Sequence, residues 1–582
     1  MLTTRATTLL TATSVAILAL PVLAGTPKAL TMVPGDSEIV VVMPNVGQLL
    51  TDMDRMNAMM GDLGKTEITM ATSMVRGMPG INLQGSAAIV LDLEDDMQSE
   101  PDAVVLLPIT SFDDLTQGRT AVNGLVEMPM GNDPIYFRDI GHGYAAMSND
   151  TGILGSFSPA DHTIEQAQAM LGTAGNRVAG ANDIMVYMNL DSLRPMLEGS
   201  FAELEEQADM VEMMGGAQAA QGFDSFVNAY KTAVKDGHAV VGGMSFDAES
   251  GFAFDFGLQF TDGSDTAGFF NNNGNAGSFL NKVPAMDFFY AQAFDLSGDG
   301  IQAMFSGYAE LIEGMDTSGM VAGMDIKNMM KQFRGGAQVM GASEVMGGGG
   351  LLGNTVMYTE GESSEACLNS IRNMYQQIGN VQEQGVSVQM SFADEPAMIN
   401  GIKAYEHSVA MDMSQMGGGG FGPANPAMMM QMMYGPTGGP AGYAAEAGDG
   451  MIFTFSKDEA MLTKAYNAAS GKDTLMSNNG IAAASKLLPE NRVMEAYVGV
   501  DHILNTVGPM LMMFGIVPEF EPMDALTPIG FGATADGGGM LVRTVIPMQT
   551  VQAVMEMVPP EMLGGVGGSD DWDDEDDDSM DF

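Results

Sequence analysis

The chain has 582 residues, 46% of them hydrophobic, and its 74 acids against 23 bases leave a formal net charge of -51. A surface of that sign repels phosphate backbones and anionic membrane surfaces, which excludes nucleic acid as a partner. The length exceeds one ordinary core and predicts two or more domains, and the single cysteine, Cys367, excludes an internal disulfide.

Residues 1–24 read as an export signal. Arg5 is the only charge, residues 9–23 are largely apolar, and Val22-Leu23-Ala24 suits cleavage before Gly25. The stretch is too short and broken to span a bilayer. Thr26 follows Leu23-Ala24-Gly25 where lipoprotein processing needs a cysteine, so no lipid anchor is expected. No later segment reads as a membrane span. The longest apolar stretch, 507–517, contains Pro509 and reads as a core helix. The mature chain is expected to be a soluble protein of the periplasm, the cell surface or the medium.

Strand-like runs then recur behind an apolar-Pro pair. Val33-Pro34 precedes Ile39-Val40-Val41-Val42, Val283-Pro284 precedes Phe288-Phe289-Tyr290, and Leu488-Pro489 precedes Val493-Met494-Glu495-Ala496-Tyr497. The run 184–190 lacks the proline but ends in the same way. Residues 183–191 lie over 287–295 without gaps, and Tyr497 to Asp501 match Tyr187 to Asp191. Each unit is a run too apolar to be half-exposed, then a polar residue, then apolar residues at helical spacing. That order predicts a buried strand, a tight turn and a helix, with Asp191, Asp295 and Asp501 as N-caps.

Two further pairs follow the same logic. Residues 155–158 lead into the helical run 164–171, and residues 453–456 lead into 460–469, each read as strand, Ser-capped turn and helix. Residues 243–256 and 530–543 each read as a hairpin around an acidic glycine turn. Recurrence in one order predicts a duplicated α+β protein. Residues 25–275 and 276–560 form its halves, each a mainly antiparallel sheet with helices packed on one face. The boundary falls in Asn271-Asn272-Asn273-Gly274-Asn275, a loop-forming cluster. The first half carries an extra helical segment at 201–214. The second carries a flexible Gly/Met-rich insertion at 416–442. Residues 561–582 read as a disordered acidic tail, with nine acids in the last fourteen positions.

The pattern at residues 33–50 is an apolar-Pro pair, a Val-rich strand, Pro44-Asn45 and a Leu-spaced helix. It resembles exported bacterial proteins that carry a domain of unknown function in which such strand–helix units recur. The resemblance covers the scaffold of both halves. It implies an architecture and brings neither an activity nor a site.

Chemistry is sparse. His142, His162, His238, His407 and His502 stand apart from one another, and no HExxH, CxxC or G-x-S-x-G pattern occurs. His162 and His502 each sit beside an aspartate at a predicted helix start and read as surface or capping residues. Cys367 reads as a buried thiol in the first turn of a helix. Gly348, Gly350 and Gly353 match G-x-G-x-x-G only formally, since no strand precedes them. Asp295, Ser297 and Asp299 before Gly300 resemble the start of a calcium loop, but the twelfth position is Ser306 instead of Glu. Among 57 methionines, Met411, Met413, Met416, Met428, Met429 and Met430 offer soft thioethers to Cu(I), with His407 near in sequence. Methionine is also spread along the whole chain, which suits a general core filler. The acidic tail offers weak, unorganised divalent-ion sites.

The expectation is therefore a non-enzymatic binding or structural component with no cofactor. It is expected to meet a protein or cell-surface partner through the groove or interface between the halves. The alternatives are a metal-handling protein, with calcium or copper bound as above, and an unrecognised hydrolase.

Overall fold

The apolar runs become strands of one antiparallel sheet in the computed structural model. It describes residues 25–59, 65–93, 101–130, 133–201, 227–248, 250–304, 332–341, 350–378, 380–383, 386–412, 426–436, 438–513 and 520–557, with Leu204, Phe223 and Asp224 besides. Residues 1–24, read as an export signal, most of the segment 201–214, Ser306, Met413, Met416 and the acidic residues 561–582 lie outside the described residues.

The N-terminal strands are β1 (Ile39–Met43), β2 (Ala87–Asp92), β3 (Asp102–Pro108), β4 (Val126–Met130), β5 (Asp133–Gly141), β6 (Tyr144–Ser148), β7 (Ile184–Asn189), β8 (Gly237–Asp247) and β9 (Gly251–Phe260). They pair antiparallel in the order β4-β5-β6-β3-β2-β1-β7-β8-β9. The C-terminal strands are β10 (Tyr290–Asp295), β11 (Phe333–Gly341), β12 (Asn354–Gly361), β13 (Asn380–Glu383), β14 (Val386–Phe392), β15 (Ala397–Ile399), β16 (Ile402–Asp412), β17 (Ala441–Ala447), β18 (Gly450–Thr454), β19 (Met494–Val498), β20 (Ile529–Asp536) and β21 (Gly539–Ile546). Their order is β16-β17-β18-β12-β11-β10-β19-β20-β21, with β14 and β13 continuing beyond β16. β9 and β21 then pair with each other from Phe252↔Ile546 to Gln259↔Gly539. The halves thus share one continuous sheet, and apart from β13–β15 its strand order reads alike from either end.

Both predicted hairpins are present, as β8–β9 and β20–β21. The first needs its glycine: Gly251 has φ +101°, and a Cβ there would stand 2.1 Å from the Ile546 carbonyl oxygen of the neighbouring strand. Gly251→Ala should therefore cost about 1–3 kcal/mol, read as a lower urea midpoint at unchanged slope.

Helices cover both faces of the sheet, which corrects the one-face expectation. Val40 and Val42 pack with Leu171 and Val178 of the helix Ile164–Ala181. Val41, on the opposite face, packs with Leu49 and Met53 of the helix Val46–Met59. The same division recurs around β12, where Val356 and Tyr358 meet Leu462 of the helix Glu459–Ala469, and Met357 meets Leu368 and Ile371 of the helix Ser364–Ile378. The cause lies in the strands: β18 is buried at every residue, so a single helical layer would leave half of it wet.

The helix starts are shifted from the predicted aspartates. The chain turns from β7 straight into the helix Leu190–Gly199, so Asn189 is the N-cap and its Oδ1 accepts the amides of Asp191 and Ser192. Asp501 likewise stands inside the first turn of the helix Val500–Met513. Asp295 ends β10, where its Oδ1 accepts from the amide and hydroxyl of Ser297 and its Oδ2 from the amide of Asn275. It anchors a turn instead of capping a helix. Residues 155–158 are no strand either. Asp150 caps a short helix, Thr151–Ser156, and the following helix Ile164–Ala181 is capped by Thr163 with a reciprocal Gln166. Within residues 416–442 the stretch Pro426–Tyr434 forms a helix, consistent with the helix propensity of methionine. Among the described residues no helix is long and apolar enough to cross a membrane.

Candidate functional site

The helix Val500–Met513 begins at the sheet end where β10 and β19 pair, and a cleft of about 400 Å³ opens beside that first turn. Its wall includes Phe288 just before β10, Asn478 and Asn479, Asp501 and His502, the segment 525–528, and Gln549. All of these lie in the C-terminal half, so the cleft is not a groove between the halves.

Each side chain has a local cause. Asn478 caps the helix Asn479–Ser485 by accepting the amides of Gly480 and Ile481 on Oδ1, which leaves its Nδ2 as the remaining donor group. The Asp501 carboxylate is buried, favoured by the positive end of its helix, and accepts the Leu526 amide at 3.2 Å on Oδ2. That bond ties the rim segment to the helix. The Thr550 hydroxyl donates to the Thr527 carbonyl at 2.9 Å and ties the rim from its other side. His502 Nε2 stands 3.7 Å from Asp501 Oδ2 and 3.9 Å from Asp287 Oδ1, too far for a hydrogen bond to either. Its ring centroid is 6.2 Å from that of Phe288. The cleft wall therefore presents one carboxylate, an imidazole and side-chain amides in a volume that suits a small polar molecule, with the Asp287 carboxylate outside the wall beside the imidazole.

The matched position in the N-terminal half is chemically different. Asp191 is paired with Arg194 at 2.7 Å and with His238 Nδ1 at 2.8 Å. Asn189, which aligns with Gly499, donates through Nδ2 to the Gly35 carbonyl at 3.0 Å. One aspartate of the pair is neutralised by its own chain, and the other faces a cleft.

His407 is placed far from solvent. Its Nδ1 lies 3.1 Å from the Tyr375 hydroxyl and its Nε2 3.1 Å from the Thr454 carbonyl oxygen. A carbonyl only accepts, so Nε2 carries the proton and Nδ1 accepts from Tyr375. Burial holds the imidazole down to about 4 and pushes the Tyr375 phenol up to about 12. Both ring nitrogens are engaged, and His407 has no electron pair left for a copper ion.

The other sequence candidates are scattered. Met411 lies in β16 against the core around Cys367, while Met428 and Met429 are exposed on the helix Pro426–Tyr434, which also carries Met430. Ser297 and Asp299 are exposed beside Asp295, whose carboxylate is occupied by the turn. Among the described residues no group of three His, Cys, Asp or Glu side chains is arranged to hold a metal. Cys367 is buried, and burial raises its thiol. Past Gly350, the amides of Leu351 and Leu352 donate to the carbonyls of Met432 and Met433, so this segment closes the end of the helix Pro426–Tyr434, while Gly348 lies outside the described residues. His142 occupies the turn between β5 and β6 with φ +57°, and His162 donates its backbone amide to the Thr31 carbonyl.

Sequence reasoning found Asp501 and His502 as a pair at a helix start but missed Phe288, Asn478, Thr527 and Gln549. No periodicity or motif marks those four, because they come from distant segments. No protein-family model matches the chain, and no curated protein and no solved structure matches it either.

Proposed function

We propose that this chain is an exported, non-enzymatic binding component of the periplasm or cell surface, and that its ligand enters the cleft beside His502. The observation that carries this reading is the convergence of Asp501, His502 and side-chain amides on one open volume. A buried carboxylate facing a cleft costs desolvation that a ligand can offset. The groups on hand suit recognition of a polar solute by hydrogen bonds. The leader-like residues 1–24 and the resemblance to exported bacterial proteins support the location. We infer also that the two halves arose by duplication. The recurring strand order supports it, as does the alignment of Asp191 with Asp501. On this view one copy kept an open site and the other closed it with Arg194, His238 and Asn189.

The test is a melting-temperature survey of the full chain with neutral and charged monosaccharides and small amines. At least one should raise the melting temperature, and Gln549→Trp should abolish the rise by filling the cleft. Gln549 is exposed, so the variant will fold. A survey with no positive compound, or a rise that survives in Gln549→Trp, would end the proposal.

A further inference from the structure

One wall of the cleft, Ala525 to Pro528, belongs to the irregular segment 520–528 that leads into β20. Among the described residues no backbone–backbone hydrogen bond reaches 520–527. Three side chains hold this stretch instead. Asn505 pairs with Met523 twice: its Oδ1 accepts the amide at 2.7 Å and its Nδ2 donates to the carbonyl at 3.0 Å. Asp501 accepts the Leu526 amide at 3.2 Å, and the Thr550 hydroxyl donates to the Thr527 carbonyl at 2.9 Å. Asp501 and Asn505 stand four residues apart on one face of the helix Val500–Met513, so the helix presents both to the same stretch of chain. The ends of the stretch are fixed by packing. The Phe520 ring lies against Gly508, in the space a larger side chain there would need, and Pro528 is buried. Between those ends Glu521, Pro522, Asp524 and Ala525 are exposed.

We propose that residues 521–527 are a hinged lid on the cleft, with Asn505, Asp501 and Thr550 as its latch. The inference rests on the cleft being the binding site. A segment with few buried apolar contacts, tethered only by side chains, opens at far less cost than the sheet beside it. Water replaces the hydrogen bonds that opening breaks. Opening removes the wall made by Ala525, Leu526 and Thr527, so a solute enters past it, and closure brings that wall back against what is bound. The tethers fall on Met523, Leu526 and Thr527, within five consecutive residues, so the stretch is released as one unit. The buried Asp501 carboxylate thereby has a task inside the chain: it holds the closed lid by the Leu526 amide.

The experiment is amide hydrogen exchange of the full chain, without added solute, resolved residue by residue. The Met523 and Leu526 amides should exchange together and much faster than the ladder amides of β19. Asn505→Leu keeps the size of the side chain and removes only the two bonds to Met523. It should speed exchange at both amides by roughly tenfold to thirtyfold, the worth of two neutral hydrogen bonds. A purely local role for Asn505 would leave Leu526, which is bonded to Asp501, at its native rate. Thr550→Val removes one tether and should speed both amides by about threefold to tenfold; it decides the question alone if Asn505→Leu does not fold. A native rate at Leu526 in either folded variant overturns the lid, as does protection of both amides equal to that of β19. The survey with Gln549→Trp decides the cleft separately, so a failed lid and a failed binding site are told apart.

Discussion

Replacing Arg543 by Ala should lower the stability of the chain by about 3–5 kcal/mol, the largest loss expected of any single substitution considered. Arg543 and Asp255 face each other across the β9–β21 ladder, the only ladder that joins the two halves of the sheet among the described residues. The guanidinium grips the carboxylate with both arms, Nε to Oδ1 at 2.9 Å and a terminal nitrogen to Oδ2 at 2.7 Å. Asn182 adds a third donor to Oδ2 at 2.6 Å. The Asp255 side chain is only 2% exposed, so truncating the arginine strands a charge away from water. Replacing both partners by Leu should recover most of the loss, because no charge is then left buried. Urea denaturation of the two variants makes the comparison. A loss below about 1 kcal/mol in Arg543→Ala would place the pair among ordinary surface ion pairs and sink the argument. Arg177 and Asp536 form a second two-pronged contact between the halves, at 2.6 Å, but the arginine is 40% exposed. Water screens that pair, and its loss should cost about 1 kcal/mol at most.

The second large effect is a dependence of stability on pH that His407 sets. The imidazole is held to about 4 in the folded chain, chiefly by burial, against about 6.5 when unfolded. Between those values the unfolded chain binds the proton and the folded chain does not. Stability therefore rises with pH across this window. The contribution is complete above about 6.5 and is lost progressively as pH falls toward about 4; the full span is worth about 3 kcal/mol. A cationic imidazole would also face the Thr454 carbonyl and the Tyr375 hydroxyl with a donor on each nitrogen, which breaks the bond that Tyr375 donates. His407→Phe should flatten this part of the pH profile while lowering stability throughout, because Tyr375 and Thr454 lose their partner in a buried site. Denaturation midpoints at matched ionic strength, taken from neutral pH downward in both chains, measure the difference. A profile of equal slope in both chains would show that His407 is not the group that titrates.

Much of this fold was legible because its signals are local. The hairpins β8–β9 and β20–β21 could be read from alternating apolar residues around acidic glycine turns, and the strand–helix units at Ile39, Ile184 and Met494 from runs too apolar to be half-exposed. The caps were misplaced because a helix can start within one residue of a strand. Asn189 holds extended backbone and so caps before Asp191 does. Residues 155–158 misled because a short glycine-containing helix carries too few turns for its period to stand out. The one-face expectation failed at β1 and β18, where the continuous apolar run itself pointed to burial from both sides. Of the cleft, only Asp501 and His502 were visible, and their adjacency to a helix start suggested capping before it suggested a site.

The amino-acid order by itself determined the units: which segments are strands, where they turn, and that strand–helix pairs recur. Periodicity, turn chemistry and β-branched content act over a few residues, so they survive reading in one dimension. Tertiary structure alone decided that β9 pairs with β21, that Asp255 meets Arg543, and that Asp501 faces a cleft while Asp191 faces its own arginine. Backbone hydrogen bonds are nearly blind to sequence, so any exposed strand edge accepts any other. Only the packing of side chains from remote segments selects one pairing, and with it the surroundings of every buried charge.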